Sequence, residues 1–334
     1  MKKIKSYPVI LIVFTIFYSC TSNPLDVDVS KQSTAIQFIE VDTLFFNKSL
    51  QEVKSNHEKL KNQLGDLYIY ELSQNIRSKV TDSVYKAIYK FYNAEYIVDL
   101  EKEKEKLYPK LNGKENQINT AFDYLSFHFG DSIIPQHIFF MNKLFSQVTC
   151  SQSEISVGLE SYISPESKVI QSIPNGQLYT WQKEKMDAQY LSRDIIQNWI
   201  QVQVFEELDT KLAEHIVQAG KILYVLNATF PDASERYILR YSKEDLKWAK
   251  ENEKLSWDFL VKQQLLFKST VRDRANFLNE GPTTVGLPEE SPDRMGQYLG
   301  YQMVKGYIRQ NKVLTLPELL EVDYNTILQT YEID

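Results

Sequence analysis

Apolar and polar positions divide this chain into a short leader and a long, mostly helical body. Lys2, Lys3 and Lys5 precede an apolar run at residues 9–18, which ends in Ser19-Cys20. The run is shorter than the roughly 20 residues that a permanent membrane helix needs, so it reads as a cleaved leader. A small residue directly before a cysteine predicts cutting ahead of a lipid-modified thiol, which makes Cys20 the first residue of a mature lipoprotein. The predicted organisation is a signal peptide at residues 1–19, a polar flexible tether at 20–33 and a single domain at 34–334.

Beyond the tether, residues 34–41 alternate and are rich in β-formers, as a first strand would be. Helical periodicity then covers 49–63, 67–79, 82–92 and 115–128. Residues 136–148 and 154–159 read as a β-hairpin that joins the first strand in a small antiparallel sheet. From there the pattern is helical at 186–207, 210–227, 243–265, 270–279, 292–310 and 315–332. The fold class is α+β, predominantly helical. In 186–207, Leu191, Ile195, Trp199, Val202 and Phe205 form an apolar stripe. Asp194, Asn198 and Gln201 form a polar row on another side, with Arg193 adjacent, and either face solvent or line a pocket. The charged run at 99–106, backed by Leu100, Leu107 and Leu111, reads as a solvated helix face. Ser291 and Pro292 predict the start of the helix at 292–310, and Gly296 and Gly300 leave room there for a second helix to approach.

Composition narrows the function. Aromatic residues make up 13% and charged residues 25%, a globular balance, and the net charge of −6 argues against nucleic acid as a partner. With Cys20 acylated, only Cys150 remains, which rules out an intrachain disulfide and suggests a small half-buried residue in a turn. The four histidines, His57, His128, His137 and His215, show no chelating spacing. No nucleophile elbow or phosphate-binding glycine loop is present, and no cofactor is expected.

Several segments carry a resemblance when taken together. They are Phe38-Ile39-Glu40-Val41-Asp42, Ala219-Gly220-Lys221-Ile222-Leu223-Tyr224, Phe230-Pro231-Asp232, Tyr241-Ser242-Lys243-Glu244-Asp245-Leu246, Asn279-Glu280-Gly281-Pro282 and Glu290-Ser291-Pro292-Asp293-Arg294-Met295-Gly296. Their order resembles the gliding-motility lipoprotein GldB family of Bacteroidetes. That resemblance implies a lipid-anchored part of the gliding and type IX secretion apparatus in the cell envelope, with other components of that apparatus as partners; Thr21, Ser22 and Asn23, without the acidic run of surface-exported lipoproteins, point to the periplasmic side. It also implies a distant likeness to zincin-type metallopeptidase domains, with the hairpin at 136–159 as the sheet edge and the helices at 186–207 and 210–227 as the former metal-binding pair. The His-Glu-x-x-His ligands are missing: Arg193-Asp194-Ile195-Ile196-Gln197 offers neither histidine, and Ala219 stands where some relatives place a glutamate.

Candidate cleft residues are Arg193, Asp194, Asn198, Gln201, Glu214, Glu290 and Arg294, with Arg294 expected to hold a carboxylate. The leading expectation is a catalytically silent binding component. Two alternatives stand beside it: a hydrolase centred on Asp194, Glu214 and Arg294, and a nutrient-binding surface lipoprotein using its many tyrosines.

Overall fold

The computed structural model describes residues 25–76, 84–206, 208 and 210–333. The leader and Cys20 lie outside the described residues. At the centre is a four-stranded sheet of order β1-β2-β4-β3, made of β1 (Gln37–Glu40), β2 (His137–Phe140), β3 (Val148–Cys150) and β4 (Glu154–Val157). β1 pairs with β2 and β2 with β4 in parallel; only β3 and β4 are antiparallel. The sheet is therefore mixed, which corrects the antiparallel expectation. A long helical crossover separates β1 from β2 and lets both run in the same direction. After β2 the chain swings outward through Leu144 and Phe145, both in the left-handed region, lays β3 on the edge, and turns back so that β4 fills the gap. Cys150 lies in β3, not in a turn, and burial pushes its thiol up to about 12.

Alternation along β2 divides the interior. Ile138 and Phe140 face one core with Ile155, Val157, Phe122 and Trp199, while Phe139 and Met141 face a second with Ile39, Val41, Leu60 and Tyr68. A strand buried on both faces in this way is typical of parallel pairing.

The second core is built on α1 (Leu50–Gln63), α2 (Asp66–Ile76), α3 (Val84–Tyr92) and α4 (Glu95–Leu107). α1 begins with a capping box in which Ser49 and Glu52 satisfy each other's backbone N–H groups. The first core takes α5 (Lys114–Phe129) and, beyond the short helices α6 (Lys168–Ser172) and α7 (Thr180–Glu184), the helices α8 (Leu191–Gln203) and α9 (Leu212–Thr229). It continues through α10 (Glu235–Leu239), α11 (Lys243–Glu251), α12 (Glu253–Lys262), α13 (Val271–Leu278), α14 (Met295–Gln310), α15 (Leu316–Glu321) and α16 (Tyr324–Gln329). Leu25 packs on this core and Thr34 N–H donates to Asp123 at 2.8 Å, so the segment before β1 is docked from Leu25 onward.

Several helices are shorter than their periodicity suggests. α8 ends at Gln203, so Phe205 lies beyond the helix, and Val202, within it, is exposed and not part of the core stripe. The pattern at 243–265 breaks at Asn252, whose side chain donates back to the Trp248 carbonyl at 2.9 Å. The pattern at 315–332 breaks where Asp323 caps α16. α14 begins at Met295, not at Pro292, because Thr284 intervenes: its hydroxyl donates to the Pro292 carbonyl at 2.7 Å and accepts Met295 N–H at 3.1 Å. As Gly296 and Gly300 suggest, α14 lies against its neighbours: Gly300 meets the backbone of α9 at Ile216 and Gly220, and Gly296 meets α13 at Phe277.

The run at 99–106 is only partly solvated. Glu101 and Lys104 are buried, with Lys104 paired to Asp42 and, at 2.8 Å, to Glu101. Burial, reinforced by the charge of Asp42 and opposed by Lys104, raises Glu101 to about 8. An i,i+3 pair looks the same in sequence whether it faces water or a buried aspartate.

Candidate functional site

A dense polar centre lies where α8, α10 and the loop before α14 meet. Asp194, in the first turn of α8, accepts Arg193 Nη1 at 2.6 Å, Arg240 Nη1 at 2.8 Å and the Tyr162 hydroxyl at 3.2 Å. Arg193 also donates to the carbonyls of Tyr237 at 3.2 Å and Ile238 at 2.6 Å, satisfying the last turn of α10. Arg240 follows that helix directly. Its backbone is left-handed, with φ of 54°, at the helix end where glycine is usual, and Tyr241 N–H closes on the Arg236 carbonyl at 3.0 Å.

Arg294 is left-handed too, also with φ of 54°, at the N-cap of α14. Its Nε donates to Asp293 at 3.1 Å and its Nη2 to the Arg240 carbonyl at 3.3 Å. Lys185 reaches the other oxygen of Asp293, which Gly281 N–H also bonds at 3.0 Å. Two arginines held in the left-handed region converge on one cluster, and strain of this kind persists only where the surroundings fix it.

Electrostatics follow from burial. The Arg294 guanidinium lies beside Asp293 and Glu280, which outweigh its desolvation and hold its proton more firmly than usual; Asp194 and Glu280 do the same for Arg240. Desolvation prevails for Lys185 and Arg193, which are lowered. Asp293 is lowered because Arg294 and Lys185 outweigh its burial.

Glu280 completes the cluster differently. It sits 3.4 Å from Arg240 and 3.9 Å from Arg294, and its side chain is 34% exposed, whereas those of Asp194 and Asp293 are 2% and 3% exposed. Glu280 lines a small pocket with Lys185 and Met186, while Arg240 and Gly281 wall a neighbouring cavity of about 450 Å³ with Trp181, Tyr190, Arg236, Pro282 and Pro292. The Arg240 guanidinium stacks 5.3 Å from the Tyr190 ring centre. The loop at 279–286 thus forms one wall of a cleft.

Of the candidate residues, Arg193, Asp194 and Arg294 are brought together. Asn198 donates to the Asp194 carbonyl at 2.9 Å and serves its own helix. Gln201 is exposed and lines a different cavity, of about 620 Å³, with His215 and Gln297. Glu214 stands half-buried in the first turn of α9, and Glu290 is exposed. The sequence reading missed Lys185, Arg240, Glu280 and Asp293 as site residues, although Glu280 and Asp293 both lie inside the segments that carry the family resemblance.

The histidines are dispersed: His57 Nδ1 lies 2.9 Å from the Tyr68 hydroxyl, His128 packs beside Phe127, and His137 lies 3.3 Å from Glu154. Among the described residues no group of three His, Cys, Asp or Glu side chains is placed to hold a metal, and no helix is long and apolar enough to cross a membrane.

Fold and site together define a mostly helical α+β protein with a mixed central sheet, whose polar centre is a buried arginine and carboxylate knot at the floor of a cleft. The chain belongs to the family described as gliding motility protein GldB, whose sequence profile matches residues 22–332. No curated protein and no solved structure matches it.

Proposed function

We propose that this chain is a lipid-anchored, catalytically silent binding component of the gliding motility machinery. It works in the cell envelope on the periplasmic side, with other gliding and type IX secretion components as partners, and uses a zincin-like scaffold whose cleft has lost its metal. Family membership supports the motility role. The leader ending in Ser19-Cys20 supports the anchor.

One observation carries the silence. On α8, where a chelating helix would present histidines, the chain presents Arg193 and Asp194, bonded to each other and to α10 deep in the interior. Asp194 already accepts three donors, and Glu214 stands in the first turn of α9, so neither is arranged as a free base beside a nucleophile. The nutrient-binding alternative is weakened because Tyr68, Tyr298 and Tyr301 are buried, although Tyr70 is exposed.

Metal analysis and peptide turnover on the purified protein test this reading. The expected result is zinc far below one atom per chain and no hydrolysis above a blank. About one zinc per chain, with turnover that a chelator abolishes, would overturn it.

A further inference from the structure

The charges of the knot do not balance. Lys185, Arg193, Arg240 and Arg294 face Asp194, Asp293 and Glu280. Asp194 and Asp293 are fully committed, and each serves two cations at close range. Glu280 is left to serve Arg240 and Arg294 together, at separations beyond the roughly 2.7–2.9 Å of a good charge-assisted bond. Arg240 Nε is buried with no hydrogen-bond partner. A cluster with excess buried positive charge is costly unless an anion completes it.

We infer that Arg240 and Arg294 form a receptor for a glutamate carboxylate of a peptide segment in which basic residues flank that glutamate, and that Glu280 is the chain's own exchangeable occupant of it. Displacing Glu280 opens no hole in the core, because its side chain already stands one third in solvent on the loop at 279–286. The incoming carboxylate replaces one long, shared contact with the paired geometry that a guanidinium fork favours. The rest of the segment lies in the adjoining cavity, where Trp181, Tyr190, Pro282 and Pro292 offer flat apolar surface. Glu184, Asp187 and Asp245 line the same cavity and would repel a small free anion, while matching basic residues that flank the bound carboxylate. This assignment rests on the cluster's geometry alone and does not require that the chain be silent or anchored.

The test uses two end-blocked peptides, acetyl-Lys-Pro-Glu-Tyr-Lys-amide and its Gln counterpart, with inorganic phosphate as a third probe. Binding to the wild type and to Glu280→Gln is measured by calorimetry, and thermal unfolding confirms that the variant folds. Removing the internal competitor should tighten the Glu peptide by about tenfold or more, with the Gln peptide and phosphate much weaker. Combining Glu280→Gln with Arg240→Lys should abolish that gain while the protein stays folded. Equal affinity of the Glu and Gln peptides for Glu280→Gln, no binding of either, or preferential binding of phosphate would each overturn the proposal.

Discussion

Replacing Asp194 by alanine should cost about 3–5 kcal/mol of folding free energy, the range seen when one partner of a buried ion pair is removed. Its carboxylate separates Arg193 from Arg240, and without it two interior guanidiniums keep their charge and face each other. Neither has an easy escape: Arg193 is tied to the end of α10, and Arg240 is held by the Lys185 carbonyl at 2.8 Å. The Tyr162 hydroxyl loses its acceptor as well. Chemical denaturation reads the effect as a lower midpoint with an unchanged slope. Asp194→Asn keeps the volume and removes the charge, so it should recover only a small part of the loss. If alanine costs under about 1 kcal/mol, the knot is not what holds α8 to α10.

The second large effect concerns packing. A methyl group on Gly300 would fall inside the Ile216 carbonyl oxygen of α9, and one on Gly220 would meet the Gly300 carbonyl, so the two helices touch backbone to backbone. Overpacking typically costs about 1–3 kcal/mol, and the upper end or beyond applies where the obstacle is backbone and cannot turn aside. Gly300→Ala should therefore lower the thermal midpoint by about 6–12 °C, at about 2–4 °C per kcal/mol for a large domain. Gly306, in the same helix, provides the internal control. Its methyl would meet only the Arg309 guanidinium, at 3.8 Å, so Gly306→Ala should be neutral or stabilise by up to about 1 kcal/mol. Equal losses at both positions would point to a general intolerance of α14 instead of a close crossing.

Much of this arrangement was legible in the sequence, and the failures share a cause. Periodicity located α5 and α8 from their apolar stripes, and α1 and α9 from helical spacing of buried positions, and the four-residue spacing of Gly296 and Gly300 announced close helix contacts. Arg294 does hold carboxylates, as expected, through Asp293 and Glu280. What local pattern cannot encode is the identity of a distant neighbour. β1 pairs with β2 across a long helical stretch, and nothing within residues 37–40 specifies a parallel partner. Lys104 reaches Asp42, and Arg240 reaches Asp194, through folding that brings remote segments together. The true start of α14 was hidden because Thr284, folded back from earlier in the same loop, supplies the cap that Ser291 seemed placed to give.

The central claim is that the chain acts by holding partners at a membrane to which its own lipid fixes it. Crosslinking in intact cells, followed by recovery of the tagged chain from membranes, tests this most directly, with Cys20→Ala as the comparison. The account predicts that the wild type recovers motility and secretion components and that Cys20→Ala, though folded and exported, leaves the membrane fraction and loses them. An unchanged set of partners from a Cys20→Ala protein that is no longer membrane-bound would contradict it.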